Sequence, residues 1–532
     1  MTYEAKNTVP ATDFRLLYDV GEGTVGAEVL SYRPSQDDDG YFLLLASPDI
    51  KAADQKPIPK TVVFVVDRSG SMSGEKIKQA REALKFVLNN LREGDLFNIV
   101  AYDSEISSFR PELQRYNDET RAAATAFVEG IYAGGSTNID GALGVALDQL
   151  KDRERPSYVV FLTDGLPTAG ETNEMRIAAN AKQNNRHDAR IFSFGVGYDV
   201  DTHFLDKLVR DNHGQSEYVR PDQNIEEHVS RLYRRIESPV LTDVQIEFVL
   251  DEAGSKHGSA VNRVYPKGRF DLFAGEQLVI AGRYRTPGAA KVVLRGKVGD
   301  KEERFDFAAE LVAKSADDSQ GFVEKLWAVR RVGELIDEID LKGRNEELVK
   351  ELVDLSIRHG ILTPYTSFMA DDTMNMHDLA RARGEAGRRL DELRVTDGRA
   401  GVSQRAYKGS MQQAARAPAA ASSSMSGESL GAGMGASGYG GMGGALAPAD
   451  REVQKAEQTI RQIGNRTFYL REGQWIDSTL DEARQKNPKR IKQFSDEYFE
   501  LAGRHGRAVS QYLVFDEPVL LEVEGRAYLI EP

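Results

Sequence analysis

The chain switches between two hydrophobic periods, and the switches outline its elements. Phe14–Val20, Val25–Tyr32 and Tyr41–Ala46 are apolar or alternate with period two, separated by Gly21-Glu22-Gly23 and Asp38-Asp39-Gly40. Three strands in about 40 residues cannot close a core alone. Residues 1–58 are therefore read as a β segment that pairs with a later β region. From 59 to 237, strand-like runs alternate with helical stripes. Val62-Val63-Phe64-Val65-Val66 precedes a helix near Gly74 that places Ile77, Ala80, Leu84, Val87, Leu88 and Leu91 on one face. Leu96–Tyr102, Tyr158–Leu162, Ile191–Gly195 and Glu217–Val219 read as further strands. Helices are expected at 119–131, 139–150, 174–185 and 201–210, with Asn224–Ile236 as the last. This alternation predicts a doubly wound, Rossmann-like α/β domain.

Residues 238–313 return to β patterning and predict a sandwich, built from Val244–Leu250, Gln277–Tyr284, Lys291–Val298 and Arg304–Phe307. A helical segment follows at 314–396. Its two helices, near 321–340 and 345–358, end at Gly360 as a C-cap, and Trp327 lies on the buried stripe of the first. Residues 397–450 are rich in Gly, Ala, Ser and Met, and such a composition predicts a flexible linker. Residues 451–532 regain globular patterning. Hairpins around Glu472-Gly473 and Glu524-Gly525 predict a small α+β domain.

Composition changes this picture in three ways. At 532 residues the chain is too long for one core. With 83 acids against 69 bases, the net charge of −14 opposes binding to phosphate backbones, so nucleic acid is not an expected partner. The absence of cysteine excludes disulfides, thiolate zinc sites and thiol catalysis. No apolar run approaches the ~18 residues of a membrane span, and Met1-Thr2-Tyr3-Glu4-Ala5-Lys6 lacks the apolar core of a signal peptide.

Candidate chemistry sits in three loops of the α/β domain. Asp67-Arg68-Ser69-Gly70-Ser71 follows the first buried strand, Gly134-Gly135-Ser136-Thr137-Asn138 precedes a helix, and Thr163-Asp164-Gly165 ends another strand. In a doubly wound sheet such loops share one crevice at the C-terminal strand edge. Asp67, Ser69, Ser71, Thr137 and Asp164 would bring five hard oxygens together there. Such a set suits Mg²⁺ at ~2.0–2.1 Å, with Mn²⁺ or Ca²⁺ as alternatives. Only two of the five are carboxylates, which leaves the ion under-neutralised and open to an external carboxylate.

These residues resemble the metal-ion-dependent adhesion site of von Willebrand factor A domains, and the resemblance spans roughly 59–237. It implies that Ser69, Ser71 and Thr137 ligate the metal directly and that Asp67 and Asp164 act partly through water. The wider chain is similar to the heavy chains of inter-alpha-trypsin inhibitor and their bacterial relatives. Tyr41-Phe42-Leu43-Leu44-Leu45-Ala46-Ser47-Pro48 resembles the end of the VIT domain, and Gly360-Ile361-Leu362-Thr363-Pro364-Tyr365-Thr366-Ser367-Phe368 resembles the segment after the two helices. Most of a VIT domain is absent. The Asp-Pro-His-Phe sequence for attachment to glycosaminoglycan is also missing, which argues against covalent transfer to polysaccharide. The resemblance implies an exported location, periplasmic, cell-surface or secreted; the visible N-terminus leaves a cytoplasmic one open. In related A domains the last helix moves on ligand binding. One composite β domain of 12–50 and 238–313, able to sense that helix, is therefore expected.

Simpler readings compete at each motif. Asp67–Ser71 alone would be a helix cap, with Ser73 an equal candidate. Gly21-Glu22-Gly23-Thr24-Val25-Gly26 fits a dinucleotide fingerprint, but a strand follows it, so a turn is expected. Asp37-Asp38-Asp39-Gly40 lacks the spaced Glu of a calcium loop and reads as a hairpin turn. Met425, Met434 and Met442 are explained by spacer composition. The eight histidines form no metal motif and none is paired in sequence with Ser69 or Ser71. The expected function is non-enzymatic, Mg²⁺-dependent capture of an Asp or Glu carboxylate on a protein partner, with the oligomeric state open. A structural scaffold with a vestigial metal site is the alternative, and a metal-assisted hydrolase ranks below both.

Overall fold

A computed structural model describes residues 25–48, 58–151, 155–250, 260–268, 270–274, 276–298, 301–371, 374–375, 378–415 and 458–532. The expected strand Phe14–Val20, the Gly21 turn and the methionines at 425, 434 and 442 lie outside these residues. β1 (Val25–Tyr32) and β2 (Gly40–Pro48) form an antiparallel hairpin. Arg33 binds the carbonyls of Ser35, Gln36 and Asp38 and so folds the Asp-rich turn between them.

The α/β domain follows, opening with β3 (Thr61–Asp67), α1 (Glu75–Asn90), β4 (Leu96–Tyr102), β5 (Ile106–Ser108) and β6 (Gln114–Arg115). It continues through α2 (Asp118–Glu129), α3 (Ile139–Asp148), β7 (Ser157–Thr163), α4 (Glu174–Asn184), β8 (Arg190–Val196), α5 (Thr202–Asp211), β9 (Ser216–Val219) and α6 (Ile225–Ile236). The sheet order is β5-β4-β3-β7-β8-β9, with β6 on β4. Every residue of β3 is buried, because its two faces serve two cores. Val62, Phe64 and Val66 pack with α1, α2 and α6, and Val63 and Val65 with α3, α4 and α5. A strand covered on both faces shows a continuous apolar run instead of alternation.

Two residues separate α6 from β10 (Pro239–Leu250), which starts the second β region with β11 (Val261–Tyr265), β12 (Phe270–Phe273), β13 (Leu278–Tyr284), β14 (Gly288–Val298) and β15 (Lys301–Leu311). β13 pairs with β2 in the register Leu278↔Ala46 to Tyr284↔Gly40. Two four-stranded sheets result, β1-β2-β13-β11 and β12-β10-β14-β15. Phe42, Leu44 and Ala46 of β2 enter the core between them, while Tyr41, Leu43 and Leu45 face the helices.

Those helices are α7 (Phe322–Lys342), α8 (Glu346–His359), α9 (Leu379–Leu390) and α10 (Gly398–Gln412). Gly360 ends α8 with left-handed φ 61° and ψ 33°. Trp327 on α7 is 1% exposed, lies 5.3 Å from the Tyr41 ring, and donates from Nε1 to Arg263 O at 3.0 Å. Trp327→Ala is expected to lower stability by about 3–5 kcal/mol, read by chemical denaturation. A change below about 1 kcal/mol would show that the sandwich and helices do not share this core.

α10 corrects the sequence reading, which began the linker at 397. The segment carries too few apolar residues to signal burial. Val402 nevertheless enters the α/β core, Met411 packs with α7, and Arg405 and Lys408 are held by carboxylates. The chain beyond contributes a six-stranded sheet of β16 (Ile460–Ile463), β17 (Arg466–Arg471), β18 (Gln474–Asp477), β19 (Lys489–Lys492), β20 (Val519–Val523) and β21 (Arg526–Glu531), ordered β16-β17-β18-β20-β21-β19. Ile460 and Tyr469 pack into the helical core, and Tyr469 donates to Ile357 O at 2.9 Å.

Candidate functional site

β3 lies between β4 and β7 with all three parallel, so its C-terminal end opens where the strand order reverses. Beyond Asp67 the chain makes one 3₁₀ turn, Gly70–Met72, whose Met72 is fully buried and pins the loop to the core. Gly134 N donates to Arg68 O at 2.8 Å and Gly70 N to Gly135 O at 3.1 Å, joining the first two loops. Thr168 N and Ala169 N donate to Thr137 O at 2.9 and 3.1 Å, which ties in the loop after β7. The helix-cap reading of this segment fails. Ser73 Oγ donates to Gly70 O, and the N-cap of α1 is Gly74, which has no side chain to cap it.

The loops bring the motif side chains together. Ser69 N donates to Asp67 Oδ1 at 2.8 Å, Ser69 Oγ and Ser71 Oγ are 3.0 Å apart, and Ser71 Oγ donates to Asp164 Oδ1 at 2.7 Å. A Cβ built on Gly165 would lie 3.6 Å from Ser71 Oγ and 4.0 Å from Thr137 Oγ1, so both hydroxyls face the space over that glycine. These separations are those of hydrogen-bonded oxygens, and they bring two hydroxyls and a carboxylate to one place, the donor types that a hard cation such as Mg²⁺ takes. Among the described residues no group of three or more His, Asp or Glu is arranged to hold a metal. The donor set here is instead hydroxyl-rich, with two buried carboxylates.

A von Willebrand factor type A domain family matches residues 60–218. Human inter-alpha-trypsin inhibitor heavy chain H4 is 30% identical over 384 residues, covering 69% of this chain and 39% of that protein. The pig heavy chain H2 is 28% identical over 376 residues, covering 67% and 38%. The chain is a von Willebrand factor A-domain protein that is similar, over about two thirds of its length, to inter-alpha-trypsin inhibitor heavy chains. It spans 38–40% of the length of the first three curated relatives it matches. A solved von Willebrand factor type A protein from Catenulispora acidiphila overlaps 71% of this chain and 97% of its own, at 18% identity and a TM-score of 0.47. That score is too low to bear on the assignment.

Electrostatically, the A-domain site holds two carboxylates that are both 0% exposed. Burial pushes the Asp67 carboxyl above the ordinary carboxylate range and Asp164 adds to this, while hydrogen bonds from Ser69 and Thr163 oppose it. Thr163 Oγ1 donates to Asp67 Oδ2 at 2.7 Å and Tyr102 OH to the same oxygen at 3.3 Å. Burial, reinforced by Asp67, pushes the Tyr102 hydroxyl well up, so it stays a donor. Lys76 Nζ pairs with Asp164 Oδ2 at 2.6 Å.

The motif reading had no role for Thr163, Tyr102 or Lys76. Thr163 stood inside a quoted motif, and Tyr102 only at a strand end. Lys76 carried one signal. A lysine in the first turn of α1 opposes the helix dipole unless an anion faces it.

Proposed function

We propose that this protein is a non-enzymatic interaction module whose A domain captures an Asp or Glu carboxylate of a protein partner at the Asp67, Ser69, Ser71, Thr137 and Asp164 site. The observation that carries the reading is the convergence of two hydroxyls and a buried carboxylate, within hydrogen-bond distance of one another, on one sheet edge. Bound there, Mg²⁺ would supply a positive centre with an open position for an incoming carboxylate. Ser69 Oγ and Ser71 Oγ bond each other, and Ser71 Oγ also donates to Asp164, so both hydroxyls sit among oxygens. Tyr132, two residues before Gly134, and Leu166, directly after Gly165, are exposed at 73% and 39%. These two side chains favour a partner whose acidic residue stands beside an apolar one.

Pull-down of a partner by the full chain is expected to be lost in EDTA, restored by Mg²⁺, and absent in Asp67→Ala. Capture that survives both EDTA and Asp67→Ala would sink the metal-bridged reading. A second reading, a scaffold with a vestigial metal site, is favoured by the Lys76–Asp164 pair, which partly neutralises the site without any metal. Self-association by light scattering that is indifferent to EDTA would support it.

A further inference from the structure

We propose that Lys76 is a built-in counter-ion that competes with the divalent ion for Asp164 and so sets the metal affinity of the site. The inference rests on the metal-binding reading above. The Asp164 carboxylate is divided between two partners: Oδ1 accepts from Ser71 Oγ at 2.7 Å, and Oδ2 holds Lys76 Nζ at 2.6 Å. The ammonium therefore stands one carboxylate away from a candidate ligand hydroxyl. A cation there is attracted by the same two buried carboxylates that would attract Mg²⁺, and it repels a second cation.

Two features show that the fold builds this arrangement. Lys76 stands in the first turn of α1, where the helix dipole disfavours a cation, so the pair with Asp164 must offset that placement. The loop after β8 also borders the side chain: a Cβ on Gly197 would stand in ordinary contact, 3.6 Å from Lys76 Nζ and 3.8 Å from its Cε. The Lys76 side chain is 32% exposed, so the ammonium can swing to solvent when a divalent ion arrives.

Formal charge makes the consequence concrete. Asp67 and Asp164 contribute −2 and Lys76 +1, leaving −1 to attract a divalent ion; without Lys76 the full −2 remains. With a divalent ion bound, the sum is +1, which still favours an anionic partner. Lys76 thus weakens metal binding while leaving the loaded site positive.

The test is calorimetric titration of MnCl₂ into the full chain, with circular dichroism to verify folding. Lys76→Met is expected to bind Mn²⁺ at least about tenfold more tightly than the parent, from the loss of one like charge a few ångströms away. Lys76→Arg keeps the charge and is expected to stay within about threefold of the parent. Lys76→Gln provides a second neutral variant should the methionine fail to fold. Neutral variants that bind Mn²⁺ equally or more weakly would overturn the inference and make Lys76 a strut that positions Asp164. If neither the parent nor a folded neutral variant binds Mn²⁺ at millimolar concentration, the metal reading itself fails. Binding by the neutral variants alone would support the inference in its strongest form.

Discussion

Lys408→Met is expected to destabilise the protein by about 3–5 kcal/mol, the usual cost of leaving a buried charge without its partner. Its ammonium is 3% exposed and touches Asp206 at 2.7 Å, Asp337 at 2.9 Å and Asp340 at 3.1 Å. These carboxylates belong to α5 of the A domain and α7 of the helical segment, while Lys408 itself is on α10. Arg405 also pairs with Asp340, and Arg210 with Asp337, so those two acids retain cations in the variant. Among the described residues Asp206 keeps the Tyr218 hydroxyl at 2.6 Å and no cation, so it bears most of the loss. Backbone bonds from Thr202 N to Thr396 O and from Gly398 N to Tyr198 O fasten the same junction, both at 2.8 Å. Lys408→Met should therefore lower the urea midpoint and speed proteolysis near residue 397. Lys408→Met combined with Asp206→Asn should recover part of the stability. A loss below about 1 kcal/mol would mean that the cluster relaxes by admitting water.

Mg²⁺ is expected to stabilise the parent and not Asp67→Asn. At a free concentration of 100 times Kd the gain is about 2.7 kcal/mol, seen as a rise in Tm. Equal gains in both proteins would place metal binding elsewhere. The metal-free comparison depends on pH. Because burial raises the Asp67 carboxyl above its ordinary value, the folded chain holds that proton more tightly than the unfolded one. Asp67 then lowers stability as pH rises above the unfolded carboxylate value, whereas a salt-bridged Asp would raise it. Without metal, the stability of Asp67→Asn relative to the parent should thus rise with pH. The asparagine can still accept from Ser69 N, but its NH₂ then takes the Oδ2 place, where Thr163 Oγ1 and Tyr102 OH must turn from donating, a cost that does not depend on pH.

The legible parts of this chain were those whose cause is local. The run Val62–Val66 announced a strand with both faces covered, and the polar residues directly after it had to fall at the sheet edge. That logic placed Asp67, Ser69, Ser71, Thr137 and Asp164 on three loops of one crevice, and those loops meet in the structure. The hairpins at Glu472-Gly473 and Glu524-Gly525 were legible for the same reason, since their turns require positive φ at both positions.

Tertiary structure alone decided the rest. A composite β domain of 12–50 and 238–313 was expected, but nothing local to Tyr41–Ala46 says that its partner strand there is Leu278–Tyr284, more than 230 residues away. Helix α10 was hidden in a small-residue segment because it is held by Arg405 and Lys408 meeting distant carboxylates. Lys76 and Tyr102 belong to no motif, and their roles come from where α1 and β4 aim them at Asp164 and Asp67. Hydrophobic periodicity records which face of an element is buried, and that is set within a few turns of chain. Charge pairing and strand partnership depend on which elements meet, and only the packed fold determines that.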